Sequence, residues 1–358
     1  MEGNETRPPA WRSDREAGRD MSETAASGSA GRKKRVLSGM RPTGTLHVGN
    51  LVGALDNWIP MQDDYDCYFA IVDWHALTTD YASPGSIRSY IEEMALDWLA
   101  AGLDPCRSTI FIQSAVKEHA ELHLLLSMLV PLGWLYRVPT YKEQLRELSG
   151  KDLETYGFLG YPVLQAADIL AYRAEIVPVG EDQVAHLELT REIARRFNSI
   201  YGAVFPLPEA RLRPVARLPG VDGRKMSKSY GNAIGLNENL ADMRKRIATM
   251  VTDPARRRRS DPGNPEVCPV FPFHKTFSTA EQIAWVDQGC RSAGIGCLEC
   301  KGVMADNLAA HLEPIQARRA EYAAHPEQVR EILGDGAQRA RRQAAETLRG
   351  VRSAMGLE

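Results

Sequence analysis

What most limits the fold of this 358-residue chain is the alternation of apolar strands and helical stripes in its first half, separated by Gly and Pro turns. Lys34–Met40 (KRVLSGM) reads as a short strand, Arg41–Gly44 as a turn and Leu46–Gln62 as a helix. Leu46, Leu51, Leu55, Trp58 and Ile59 recur at near-helical spacing. Cys67–Asp73 (CYFAIVD) is a continuous apolar run, as in a strand covered on both faces. Ser83–Pro84 opens a further helix, on which Ile87, Ile91, Met94 and Trp98 share a face. Thr109–Gln113 (TIFIQ) is the next strand, and Ile176–Val179 is a short apolar segment before another helix. The alternation predicts an α/β fold with a Rossmann-like, doubly wound parallel sheet. Such sheets bind ligands at the carboxyl ends of their strands, which is where Arg41–Gly44, Asp73–His75 and Gln113–Ser114 fall.

After about Gly235 the alternation stops. Leu308, Leu312 and Ile315 form one helical stripe, and Ala340, Ala344, Leu348, Val351 and Met355 form another. The expected division is a disordered extension over 1–33, an α/β catalytic domain over 34–235 and an α-helical domain over 236–358. Residues from Met1 to about Arg32 have no apolar h-region, so they do not read as a secretory signal. The basic run Arg32–Arg35 reads as a solvated charge cluster. A hydrophobic fraction of 44%, a charged fraction of 25% and a net charge of -2 suit a globular protein and exclude a strongly basic one. A local basic face for nucleic acid stays open. No apolar run is long enough to cross a bilayer.

Two segments carry phosphate chemistry. Pro42–Asn50 (PTGTLHVGN) ends a strand and opens a helix, whose first N–H groups and partial positive charge suit a phosphate. Gly44 and Gly49 let a nucleotide approach the backbone. His47 and Asn50 are three residues apart and can both donate to a phosphoryl oxygen. Gly223–Ser229 (GRKMSKS) places Lys225 and Lys228 three apart on a Gly-flanked loop, a cationic clamp for a departing pyrophosphate. Between them, Tyr161, Gln165, Asp168 and Tyr172 recur at helical spacing on Tyr161–Tyr172. Two aromatics, an amide and a carboxylate could hold an aromatic amino acid, and a buried Asp168 would need a partner.

Cys268, Cys290, Cys297 and Cys300 are spaced C-x21-C-x6-C-x2-C. Four thiolates suit tetrahedral zinc or an iron–sulfur cluster, and a reducing, cytoplasmic compartment fits such a site better than a disulfide framework. Arg244–Arg246 and Arg256–Arg259, just before the cluster, could track an RNA backbone.

The paired segments resemble the two signatures of class I aminoacyl-tRNA synthetases, here His-Val-Gly-Asn and Lys-Met-Ser-Lys-Ser. Asn50 stands where the first signature ends in His, which keeps a donor and removes a proton-transfer group. Ala166–Leu170 (AADIL), Val177–Gln183 (VPVGEDQ) and His186–Arg191 (HLELTR) resemble the tryptophanyl-tRNA synthetase family, from about Arg35 to the C-terminus.

The resemblance implies an ATP- and Mg2+-dependent ligase that forms tryptophanyl-adenylate and pyrophosphate, then charges tRNA(Trp). It implies that Asp168 recognises the indole N–H, that Tyr161 and Gln183 hold the ammonium, and that His75 and Gln165 line the pocket. Gly180, Glu181 and Asp182 would meet the ribose and the Leu218 backbone the adenine. Arg41, Thr43, Gly49, Asn50, Lys225, Met226, Ser227, Lys228 and Ser229 would surround the phosphates, with His47, Asn50, Lys225 and Lys228 catalytic. Arg41 stands where many members have Gln, and Lys142 could add a cation. A subset of the family carries a four-cysteine [4Fe–4S] site in this region, which favours iron–sulfur over zinc. A homodimer is likewise implied. The alternatives are a tyrosyl-tRNA synthetase and a non-catalytic iron–sulfur RNA-binding paralogue.

Overall fold

The middle of Arg35–Met40 (β1) and almost all of Asp66–Ile71 (β2) and Ser108–Ile112 (β3) are buried, as expected of strands covered on both faces. The computed structural model describes residues 32–147, 150–212 and 218–358. The expected extension therefore lies outside the described residues apart from its last positions. There Arg32 pairs with Glu175 at 2.8 Å and the Lys33 ammonium donates to the Asp63 carbonyl, while Arg32, Lys33 and Lys34 stay exposed to solvent.

Ile176–Val179 (β4) and Glu209–Leu212 (β5) complete a five-stranded parallel sheet of order β3-β2-β1-β4-β5. Sequence reading misses β5 because all four of its residues (EARL) are exposed and two of them are charged. The chain winds outward from β1 to β3, then restarts on the other side with β4. The switch point thus lies between β1 and β4, where such sheets open a crevice at their carboxyl ends.

The strand period of two divides the core. Val36, Phe69 and Ile110 face one layer, and Leu37, Tyr68 and Phe111 face the other. The first layer is covered by Asp56–Asp64 (α1) and Ile87–Ala101 (α3). Trp58 stacks on Phe69 at 5.0 Å and meets Trp98 edge-on at 5.3 Å. Burying each such ring contributes roughly 1.5–3 kcal/mol. The second layer is covered by Glu118–Ser127 (α4), Tyr156–Ala171 (α5) and Val184–Tyr201 (α6). Asp73–Asp80 (α2) follows β2 and faces α5.

The helix expected from Leu46 instead starts at Val48. The Leu46 N–H is taken by Asp97, and the Val48 N–H bonds to the Ile234 carbonyl. A π-helical stretch, Leu51–Leu55, then interrupts it before α1.

Among the described residues after Gly235 no strand is present, and the region is helical: Leu240–Thr249 (α7), Ala280–Arg291 (α8), Cys297–Ala324 (α9) and Pro326–Ala354 (α10). Both predicted stripes are buried, but against the sheet's own layers. Leu308, Leu312 and Ile315 join the first layer, and Ala340, Ala344, Leu348 and Val351 join the second. Helix α10 lies so close to β3 that a Cβ on Gly336 would stand 1.8 Å from the Ile110 carbonyl oxygen.

Candidate active site

A cavity of about 350 Å³ opens at the switch point. Its walls are the ends of β1 (Met40, Arg41) and β4 (Val179, Gly180), with α2 and α5. Arg41, His75, Tyr161, Gln165, Asp168, Gly180 and Gln183 all line it, as the sequence suggested. Thr155 starts α5 by accepting the Phe158 N–H, which sets the rotation that brings Tyr161, Gln165 and Asp168 inward. Tyr172 departs from that face. The helix ends at Ala171, and the Tyr172 ring is fully buried, stacked on Tyr68 at 4.7 Å.

Asp168 is 3% exposed and has the partners its burial requires. Gln113 Nε2 donates to both its oxygens at 2.9 and 2.8 Å, His75 Nε2 lies 2.9 Å from Oδ2, and His119 Nδ1 lies 2.5 Å from Oδ1. The other His119 nitrogen bonds to the Tyr172 hydroxyl. Burial alone would raise the carboxyl's pKa; the His119 and His75 rings reverse this and hold it well below the usual carboxylate range. Of the three partners only His75 also lines the cavity.

Tyr161 bonds to Thr140 Oγ1 at 2.9 Å and to His186 Nε2 at 2.7 Å. Desolvation pushes His186 down to about 4, so it is a neutral ring near pH 7. Gln113, His119 and His186 escaped sequence reading as site residues. Gln113 was legible as a strand-end polar residue and His186 as part of the HLELTR segment; His119 carried no local signal.

The phosphate segments are in contact. His47 is the N-cap of Val48–Asn50: its Nδ1 accepts the Asn50 N–H at 3.2 Å, and Asn50 Oδ1 accepts the His47 N–H at 3.1 Å. These bonds leave His47 Nε2–H and the Asn50 Nδ2 amide as donors. Desolvation, aided by the Lys228 charge, lowers His47 to about 4, so it donates as a neutral imidazole. Gly44 has φ +128°, and a Cβ there would stand 2.8 Å from Lys228 Nζ. The lysine thus lies over the turn that ends β1. A Cβ on Gly49 would stand 3.4 Å from Met226 Sδ.

Asn232, missed in the sequence, shapes the loop. It accepts the Ser227 N–H at 2.8 Å and donates to Asp222 at 2.7 Å and to the Lys225 carbonyl at 3.1 Å. Lys225 is exposed, and Leu218 is buried beside the Pro219–Lys225 bridge. The Ser229 side chain lies outside the described residues. Thr43, Glu181, Asp182 and Lys142 are exposed and do not line the cavity. The phosphate segments carry cations and amides rather than a carboxylate set.

Residues 29–313 match the family model described as tRNA synthetases class I (W and Y). A tryptophan–tRNA ligase of Thermotoga maritima is 54% identical over 325 residues, with 90% of this chain and 99% of the relative covered. That of Ralstonia nicotianae is 47% identical, with 90% and 98% covered. The chain belongs to the tryptophanyl-tRNA synthetases. It is an aminoacyl-tRNA ligase, and its amino acid is tryptophan. A tryptophanyl-tRNA synthetase from Campylobacter jejuni, solved with ADP and tryptophan, superposes with a TM-score of 0.82 at 34% identity, covering 90% of this chain and 100% of that one. A tyrosyl-tRNA synthetase from Archaeoglobus fulgidus shares the fold, with a TM-score of 0.63 at 20% identity.

The four cysteines of this synthetase come from three places: the turn after Pro265–Val267, the end of α8 and the start of α9. Burial first, then the charges of Cys268, Cys290 and Cys297, push the Cys300 thiol up to about 12. The four thiols thus share one region of the fold and feel one another's charge, without closing into a ligand set. Cys300 Sγ lies 3.3 Å from His274 Nε2, and Cys290 Sγ accepts from Arg256 at 3.7 Å. Among the described residues no group of three or more His, Cys, Asp or Glu is gathered closely enough to hold a metal ion.

The basic stretch divides. Arg256 is buried and donates to the Ile295 carbonyl, and Arg246 pairs with Glu238, so both serve the fold. Arg257, Arg258 and Arg259 are exposed.

Proposed function

We propose that tryptophan occupies the β1–β4 cavity, with ATP laid from Gly180–Asp182 and Leu218 to the two phosphate segments. The observation that carries this reading is the contact between the segments: Lys228 over Gly44 and Met226 against Gly49, beside a cavity whose floor is Asp168.

Asp168 is the acceptor for the indole N–H. His75 is the partner that gives way, because Gln113 and His119 hold the carboxylate from outside the cavity. Tyr161 and Gln183 hold the ammonium, and Gln165 lines the pocket. The tryptophan carboxylate oxygen bonds to the α-phosphorus while the bridge to the β-phosphate breaks. His47 Nε2–H, the Asn50 amide, Lys225, Lys228 and Arg41 offset the charge that moves onto pyrophosphate. Thr43, Ser227 and Ser229 border the same phosphates. The terminal ribose hydroxyl of tRNA(Trp) then takes the tryptophanyl group, and AMP leaves.

Cys268, Cys290, Cys297 and Cys300 would hold a [4Fe–4S] cluster, with zinc as the alternative. Its thiolate bonds would staple the ends of α8 and α9 to the loop before them. The exposed Arg257–Arg259 face suits tRNA phosphates. The exposed apolar row Leu124, Met128, Leu132 and Tyr136 suits a homodimer contact. A cytoplasmic location accords with substrates that meet there.

Tryptophan-dependent ATP–pyrophosphate exchange tests the reading. Asp168→Asn should lose exchange mainly through a raised KM for tryptophan, and Lys228→Ala mainly through kcat. Unchanged exchange in both variants would overturn these assignments.

A further inference from the structure

Helix α9 begins at two of the four cysteines, and near its other end Gln316 and Arg319 bond to residues that hold the backbone next to the phosphate segments. Arg319 is 7% exposed and donates from Nε to Asp97 Oδ1 at 2.7 Å, while its Nη2 pairs with Glu93. Asp97, 1% exposed, uses its other oxygen to accept the Leu46 N–H at 3.1 Å, one residue before His47. One turn earlier on α9, Gln316 Nε2 donates to the carbonyls of Leu236 at 2.8 Å and Glu238 at 2.9 Å. Leu236 belongs to the segment that follows the lysine loop. It is bonded to the first phosphate segment through Leu236 N–H to the Leu46 carbonyl at 3.1 Å and Val48 N–H to the Ile234 carbonyl at 2.9 Å.

One face of one helix therefore holds, through Asp97 at Leu46 and directly at Leu236 and Glu238, backbone adjoining the segments that carry His47 and Lys228. These bonds are directional, and the ion pair is shielded from water, so a small shift of α9 cannot be absorbed without leaving a buried charge or carbonyl unpaired. We propose that Gln316, Arg319 and Asp97 are positioning residues that set the separation of His47 and Lys228. Helix α9 thereby carries the placement of the cysteine-bearing region to the reacting phosphates. The sixteen residues from Cys300 to Gln316 span about 24 Å at about 1.5 Å per residue. None of the three residues lines the tryptophan cavity. The proposal rests on the reading of His47 and Lys228 as phosphate-binding groups.

The test uses the full chain, measuring pyrophosphate exchange, tryptophan binding by titration calorimetry and the folded fraction by near-ultraviolet circular dichroism. Gln316→Glu is isosteric but cannot donate to two carbonyls, and Arg319→Met removes the guanidinium. Both should lower kcat on the order of 10- to 100-fold, as expected for slight misplacement of catalytic groups. Tryptophan affinity and folded fraction should stay near those of the parent. Arg319→Lys, which keeps a cation for Asp97, should recover most of the lost rate. If Gln316→Glu and Arg319→Met retain the parent kcat, or lose it only in proportion to folded fraction, the proposal is overturned. His47→Ala and Lys228→Ala separate the two levels. Normal exchange in these variants removes the phosphate reading and the proposal with it. Lost exchange in them with normal exchange in Gln316→Glu and Arg319→Met removes the positioning role alone.

Discussion

At the scale of single residues, the active site depends on controlling charge. Asp168 is kept ionised in a nearly water-free position by two imidazoles and an amide. His47 and His186 are kept neutral by desolvation, both at about 4. Their ordinary value is 6.5, so between about 6.5 and about 4 the unfolded chain binds protons that the folded chain refuses. Stability should therefore fall as pH falls through that window. The urea midpoint should drop between about pH 7 and about pH 5, and replacing His47 and His186 together by Gln should flatten the decline. An unchanged decline in that double variant would assign the loss to other groups. Asp168 acts in a lower window: its depressed pKa adds stability that disappears only as pH falls below the ordinary carboxylate range.

At the scale of elements, close backbone approach decides where the C-terminal helix sits. Gly336 lets α10 lie on β3 with no side chain between them. Alanine is the better helix former by about 1 kcal/mol. Here the added methyl would overlap the Ile110 carbonyl oxygen, and overpacking of this kind costs roughly 1–3 kcal/mol or more. Gly336→Ala should accordingly lower the melting temperature, whereas Gly334→Ala, two residues away in open space, should not. Equal effects at the two positions would contradict the close-packed contact. The start of the first helix follows the same logic. Leu46 fits an apolar helical stripe, but its N–H serves Asp97, and the helix begins two residues later.

At the scale of the whole molecule, the cysteine-bearing region and the sheet share packed layers, and α9 joins them. A metal bound by Cys268, Cys290, Cys297 and Cys300 would brace the start of that helix. Protein purified without oxygen should be brown and contain iron and acid-labile sulfide, both lost in Cys297→Ser. One zinc without sulfide would select the alternative. Among the described residues no helix is long and apolar enough to cross a membrane, in keeping with a core built from two sheet layers.

Local sequence was enough for the strands that are buried on both faces, because their apolar runs need no tertiary context. It singled out also Pro42–Asn50 and Gly223–Ser229, which the fold brings together, since a Gly-rich strand–helix turn and a lysine pair are read from adjacent residues. The helix face of Tyr161, Gln165 and Asp168 followed from the 3.6-residue period alone. Tertiary structure decided the rest. The partners of Asp168 come from Asp73–Asp80 and from residues 113 and 119, far away in sequence. Asn232 and Asp97 hold the Ser227 and Leu46 N–H groups of the two phosphate segments across turns and helices that no spacing rule links. The exposed strand β5 owes its place to hydrogen bonds with β4 rather than to apolar residues of its own. The opening alternation of strands and helices thus specified the sheet, while the long-range hydrogen bonds determined which groups meet at its carboxyl end, because those bonds form only after the layers have packed.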